Sequence, residues 1–175
     1  MRSGRCGKMN FIPTAIKGVF IIELDRKTDH RGYFARTYCI DEFKKAGIDF
    51  HVVQCNTSFN KIRGTVRGMH YQSHPYEEAK LVSCGKGSIY DAVLDIREGS
   101  ETHGKWIGEI LSDENSRMIY LPKGCAHGYQ ALADNTIVNY LVNIPYSQTH
   151  GLGTSYKQIR WPLPITAISE GDDSA

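Results

Sequence analysis

Apolar and polar residues alternate in short runs along most of the chain. The stretch SIYDAVLDI, residues 88–96, puts Ile89, Asp91, Val93 and Asp95 on one face of a strand. Tyr90, Ala92, Leu94 and Ile96 fall on the other. Similar runs, broken by Gly, Pro, Asn or Asp, predict strands near 18–24, 33–38, 50–57, 65–72, 79–84, 87–97, 105–111, 117–121, 126–132 and 136–142. One short helix is predicted near Asp41–Ala46, with Gly47 placed to end it. No internal repeat or low-complexity linker interrupts the series. So many short strands in one chain predict an all-β sandwich or jelly-roll barrel. A barrel of this kind has room inside for one small ligand.

Length and composition narrow the picture. The chain has 175 residues, enough for one domain with a sizeable core. Met9 precedes the first patterned segment, so residues 1–8 are expected to be disordered or carried over from cloning, and 9–175 to form the single domain. A net charge of +2 gives no broad electrostatic field and no reason to expect nucleic acid as a partner. The five cysteines, Cys6, Cys39, Cys55, Cys84 and Cys125, are scattered and never spaced Cys-x-x-Cys. They read as reduced thiols of a cytoplasmic protein. The apolar runs are too short to span a membrane, and the basic start MRSGRCGK is followed by no apolar core of a signal peptide.

The chemistry concentrates in VRGMHYQSHPYEEAKLV, residues 66–82. Strand alternation places Val66, Gly68, His70 and Gln72 on one face and Arg67, Met69 and Tyr71 on the other. Lys80 begins the next strand and sits across from His70 if the two strands pair. Downstream, LPKGCAHGY sets His127 on a strand after a Pro-x-Gly turn, and VNYLVNIPY supplies Tyr140 and Tyr146. A histidine base, a tyrosine acid and a lysine cation make a proton-transfer set suited to a proton next to a carbonyl. Each residue alone also has a structural reading: a hydrogen-bonded strand histidine, a core tyrosine, a solvated edge lysine. Metal-binding cupin barrels offer a further reading, because His70, His74, Glu78 and His127 echo their ligand order. The same-face partner of His70 is Gln72, however, and His74 falls in a Ser-His-Pro turn, so no metal is expected.

Longer stretches carry a specific resemblance. DHRGYFARTY, VVQCNTSFNKIRGTVRGMHYQ, the run from EEAKLVSCGKG to GCAHGYQAL, and the closing IRWPLP and ISEGD are similar to the dTDP-4-dehydrorhamnose 3,5-epimerase family. The resemblance covers nearly everything from Met9 onward. It implies a cupin-type double-stranded β-helix, a homodimer with exchanged N-terminal strands, and a cofactor-free epimerase of deoxysugar and cell-surface polysaccharide biosynthesis. The implied substrate is a nucleotide diphosphate 4-keto-6-deoxyhexose. By similarity His70 is the base, Asp172 the carboxylate that orients it, Tyr140 the acid on the opposite face and Lys80 the cation that stabilises the enolate. Arg31 and Arg67 match residues around the diphosphate, and Gln54 with Asn56 matches the family's Gln-x-Asn. His127 matches a sugar- or phosphate-side histidine, and Tyr146 the aromatic that stacks on the base.

Three departures stand out. Arg36 occupies a position where many members carry a glutamate that contacts thymidine. The stretch between Tyr146 and Trp161, SQTHGLGTSYKQIR, is short and holds no carboxylate. Gly171 replaces the usual basic residue before the dyad aspartate. All three lie at the nucleotide end, so an altered base contact at Arg36 is expected. Epimerisation at C3 or C5 only, a CDP- or GDP-sugar substrate, and a non-catalytic sugar-nucleotide-binding cupin remain the alternatives.

Overall fold

The computed structural model describes residues 7–175. The strands β1 (Met9–Pro13) and β2 (Phe20–Leu24) pair antiparallel, and a small hairpin of β3 (Lys27–Asp29) and β4 (Gly32–Phe34) follows. Next comes the helix α1 (Ile40–Lys45). The body of the fold is β5 (Gln54–Asn60), β6 (Val66–Gln72), β7 (Lys80–Lys86), β8 (Ser88–Asp95), β9 (Trp106–Ser112), β10 (Arg117–Leu121), β11 (Cys125–Ala131) and β12 (Thr136–Val142). The last elements are β13 (Gly151–Gly153) and the one-turn helix α2 (Glu170–Asp173).

Six strands form one sheet in the order β1-β2-β10-β7-β12-β5, and five form a second, β13-β6-β11-β8-β9. The sheets face each other. Val82, Ile119 and Val138 of the first meet Ile89, Val93 and Tyr129 of the second in one buried cluster. This is the expected all-β jelly roll.

Both sheets are also covered outside. Phe43 of α1, Phe50 and Tyr120 stack in a second cluster over the outer face of the six-stranded sheet, with Phe43 and Phe50 fully buried. Residues 156–161 lie across the other sheet, where Tyr156, Ile159 and Trp161 cover Met69, Ala92 and Leu94. That is why SIYDAVLDI has no solvent face: Ile89 and Val93 point into the barrel, and Ala92 and Leu94 lie under the C-terminal segment.

The predicted helix is present one residue early and ends as expected. Gly47 takes φ +78°, Ile48 N donates to Phe43 O, and Gly47 N donates to Lys44 O, a full Schellman closure. The expected strand over 33–38 stops at Phe34, because Tyr38 is drawn into the aromatic cluster with Phe43 and Phe50. Three strands went unpredicted. β1 and β3 are short edge segments, and β13 is two glycines around Leu152 whose strand character comes from pairing with β6. Of the expected N-terminal extension, residues 1–6 lie outside the described residues. Gly7 is buried, and Lys8 O accepts from Asp25 N.

Candidate functional site

An irregularity in β6 builds the site. His127 of β11 faces His70, yet Tyr129 faces Arg67, so three steps along β6 oppose two along β11. The extra residue falls at Gly68 and Met69. Gly68 sits at φ +110°, and a Cβ there would lie 2.5 Å from His127 O and 2.6 Å from Gly128 Cα. Only glycine fits so close an approach. The bulge re-aims the chain, so Arg67 and His70, three residues apart, line the same cavity. Simple alternation had put them on opposite faces.

That cavity has a volume of about 580 Å³ and opens between the sheets. The five-stranded sheet contributes Arg67, His70, His127 and Tyr129 to its wall, and the six-stranded sheet contributes Gln54, Asn56, Lys80 and Tyr140. Tyr146 and Asp172 complete the lining at the mouth. Lys80 is not a strand partner of His70, as the sequence allowed. It pairs with Val142 and Leu121 and faces His70 from the opposite sheet.

His70 and Asp172 form a tight pair. The C-terminal segment docks on β6 through Val66 N and Ala167 O at 2.9 Å, then turns into α2, where Asp172 N donates to Ser169 Oγ. Asp172 Oδ1 stands 2.6 Å from His70 Nε2, and Oδ2 accepts from Gly68 N at 3.2 Å. A carboxylate so placed accepts a hydrogen bond from Nε2–H, which leaves Nδ1 as the basic nitrogen. Asp172 is largely shielded, whereas the His70 side chain is half-exposed.

Deeper in the barrel the charges are buried and paired. Lys80 Nζ lies 2.9 Å from Glu78 Oε1, with both side chains about nine-tenths covered. His127 Nε2 lies 2.8 Å from Asp91 Oδ2, and Asp91 is fully buried. Burial pushes the Asp91 carboxyl up, against the pull of His127 and Lys80. Asp91 Oδ1 has no hydrogen-bond partner among the described residues. Burial also raises the Tyr140 phenol, with Tyr129 and Glu78 adding to the effect and Arg67 opposing it. Tyr140 therefore holds its proton through neutral pH and stands ready as a donor.

At the mouth, Gln54 Nε2 donates to Asn56 Oδ1 at 2.8 Å, and Tyr146 N donates to Gln54 Oε1 at 3.3 Å. Ser147 N donates to Gln72 Oε1 at 2.6 Å, so two glutamines tie down the turn that carries Tyr146. The Tyr146 ring itself is well exposed.

Arg31 and Arg36 stand apart from this cavity. Arg31 lies in the exposed β3–β4 turn, bonded to Asp29, and Arg36 pairs with Glu42 beside α1. Of the four residues weighed as metal ligands, His70, Glu78 and His127 line the cavity and His74 does not. His74 is exposed in its turn beside Glu77, away from His70 and His127. Among the described residues no group of three or more His, Cys, Asp or Glu is arranged to hold a metal ion.

Sequence reasoning missed several residues that line the cavity or stand directly behind its lining. Asp91 lay in plain view as a carboxylate between Ile89 and Val93 on one strand face, a position that demands a buried partner. Glu78 was weighed only as a metal ligand. Ser58, Asn60 and Tyr129 attracted no attention, although QCNTSFN places a polar residue at every second position of β5.

A histidine–carboxylate pair on one sheet, a protonated tyrosine on the other and a buried lysine can move a proton onto and off a carbon next to a carbonyl. Comparison with known proteins agrees. The sequence profile of the dTDP-4-dehydrorhamnose 3,5-epimerase family matches residues 13–175. A dTDP-4-dehydrorhamnose 3,5-epimerase of Sinorhizobium fredii is 37% identical over 172 residues, 96% of this chain and 88% of that protein. A dTDP-4-dehydrorhamnose 3-epimerase of Streptomyces niveus is 36% identical, over 95% of this chain and 83% of its own length. The crystal structure of the Legionella pneumophila 3,5-epimerase in complex with dTDP-4-keto-L-rhamnose superposes with a TM-score of 0.90, at 37% identity, covering 95% of this chain and 91% of that one. With its jelly roll, its cavity residues and these matches over almost its whole length, the chain belongs to the dTDP-4-dehydrorhamnose 3,5-epimerase family.

Proposed function

We propose that the protein inverts C3 and C5 of a dTDP-4-keto-6-deoxyhexose. The C4 carbonyl acidifies the protons on both neighbouring carbons. Nδ1 of His70 takes the proton, and the electron pair of the broken C–H bond moves onto O4 as an enolate. The ammonium of Lys80 stabilises that charge, and the phenol of Tyr140 returns a proton to the opposite face of the carbon. Solvent exchange then discharges the imidazolium and reprotonates the phenolate before the second carbon reacts. The observation that carries this reading is the placement of His70 and Tyr140 on facing sheets across one cavity, with His70 held by Asp172.

The nucleotide end is assigned to Arg67, Gln54, Asn56 and Tyr146, with His127 on the sugar or phosphate side. A homodimer is part of the reading. Arg31 and Arg36 belong to a segment whose Tyr33 and Phe34 are exposed, and exchange of N-terminal strands brings such a segment to a partner's cavity mouth. The free thiols of Cys39, Cys55, Cys84 and Cys125 accord with action in the cytoplasm, in the supply of deoxysugar for surface polysaccharide. Proton NMR of dTDP-4-keto-6-deoxyglucose incubated with the protein in deuterium oxide tests the reaction. Loss of both the H3 and H5 signals is expected. Loss of H3 alone assigns a 3-epimerase, the activity in the name of the Streptomyces relative. Retention of both overturns the proposal.

A further inference from the structure

Asn60, the last residue of β5, is only 1% exposed and meets the cavity wall through two side chains, those of Arg67 and Tyr129. A buried carboxamide has to satisfy both of its ends. Its Nδ2 donates to Thr136 O at 3.4 Å. Its Oδ1 accepts from Arg67 Nε at 2.9 Å and lies 3.3 Å from the hydroxyl of buried Tyr129, which also donates to Ser58 Oγ at 2.9 Å. A flipped amide would set Nδ2 against the Arg67 donor and Oδ1 against the Thr136 carbonyl, so only one orientation fits.

Arg67 is thus held by one of its five N–H groups. Its two terminal amino groups have no acceptor among the described residues, although the side chain lines the cavity. A carboxylate at position 60 would also accept from the guanidinium and would neutralise it, although its second oxygen would lose the donation to Thr136 O. The amide holds it and leaves its charge unspent. The cavity wall here carries Gln54, Asn56 and Ser58, all neutral, on the same face of β5.

We propose that Asn60 is a positioning residue, a buried neutral clamp that fixes the fork of Arg67 and reserves its full charge for the substrate's diphosphate. The inference rests on the dTDP-sugar reading given above. Planar guanidinium forks bind phosphate oxygens in pairs, which makes their orientation as important as their presence.

Calorimetric titration with dTDP and with thymidine, on the wild type, Asn60→Ala, Asn60→Asp, Arg67→Ala and the Asn60→Ala/Arg67→Ala double variant, tests this. Asn60→Ala is expected to weaken dTDP about tenfold to a hundredfold, the scale of a hydrogen bond to a charged group, and to leave thymidine unchanged. Asn60→Asp is expected to weaken dTDP at least as much, although it keeps size, shape and the acceptor for Arg67. The double variant is expected to bind no more weakly than Arg67→Ala, and turnover by Asn60→Ala is expected to show a raised KM with a much smaller change in kcat. An Asn60→Ala effect that persists undiminished in the Arg67→Ala background overturns the clamp, because a merely structural asparagine acts independently of Arg67. Wild-type affinity in Asn60→Asp overturns the role of neutrality. Asn60→Asp and Asn60→Ser keep a polar side chain at this buried site and carry the test if Asn60→Ala folds poorly. A wild type that binds pyrophosphate but not dTDP strikes the dTDP reading alone, and the same variants titrated with pyrophosphate then decide the clamp.

Discussion

Replacing Asp172 by alanine should separate activity from stability. Its carboxylate accepts two hydrogen bonds, from His70 Nε2 at 2.6 Å and from Gly68 N at 3.2 Å. Bonds to charged groups contribute about 1.5–3 kcal/mol each when well shielded. One of these ends on a half-exposed histidine, so the pair is worth less, about 1–2 kcal/mol in all. Apart from Asp172, every residue from Ser169 to Ala175 is exposed, so the substitution uncovers little apolar surface. In a chain of this size that loss lowers Tm by roughly 2–8 °C. The catalytic loss is far larger. Without the carboxylate nothing sets the His70 tautomer or holds its ring, and proton transfer should slow about 10²–10⁴-fold. Deuterium incorporation at C3 and C5, followed by NMR, reads the first quantity, and differential scanning fluorimetry reads the second. Deleting residues 169–175 should reproduce both results. An Asp172→Ala protein that exchanges within threefold of the wild type would sink the dyad. A collapse of Tm by tens of degrees would make the residue structural.

Tyr140→Phe should keep deuterium exchange but slow net inversion about a hundredfold or more, since no described residue bonds the Tyr140 hydroxyl and its loss leaves nothing unpaired; equal loss of both would deny it a separate role as acid. Burial raises the Tyr140 phenol, so its proton is retained as pH rises past 7, and inversion in the wild type should hold into the ordinary phenol range near 10 before this group fails. A fall in the inversion-to-exchange ratio between pH 7 and 9 would contradict that sign. Burial pushes the thiols of Cys84 to about 11 and Cys125 to about 12, whereas Cys55 is exposed, so mass-spectrometric mapping after brief iodoacetamide treatment at pH 8 should find Cys55 modified and the other two untouched.

Much of the site was legible because its chemistry is carried by residue types that strands rarely spend without purpose. His70, Lys80, His127 and Tyr140 stood out as a proton-transfer set from the residues themselves, the family resemblance added Asp172 and the binding residues, and nine of the eleven expected residues line one cavity. What stayed hidden is what depends on a second strand. The bulge at Gly68 exists only relative to β11, so alternation along β6 put Arg67 on the wrong face. Lys80 reads as a neighbour of His70 in sequence, yet the chain crosses between sheets after Gln72, and the two meet across the interior. Leu152 and its glycines carry no strand pattern of their own. Asn60 and Asp91 owe their roles to partners 7 and 36 residues away in sequence, Arg67 and His127, which no local pattern announces.

The proton-transfer role of His70 meets its most direct test in deuterium oxide, with the wild type and His70→Ala compared on dTDP-4-keto-6-deoxyglucose at matched saturation. The diphosphate groups assigned here, Arg67, Gln54 and Asn56, are untouched by the substitution, so dTDP should bind both proteins alike. The wild type is predicted to exchange both C3 and C5 protons, and His70→Ala to exchange neither above the uncatalysed rate. Near-normal exchange in a folded, dTDP-binding His70→Ala protein would contradict the assignment of His70 as the base.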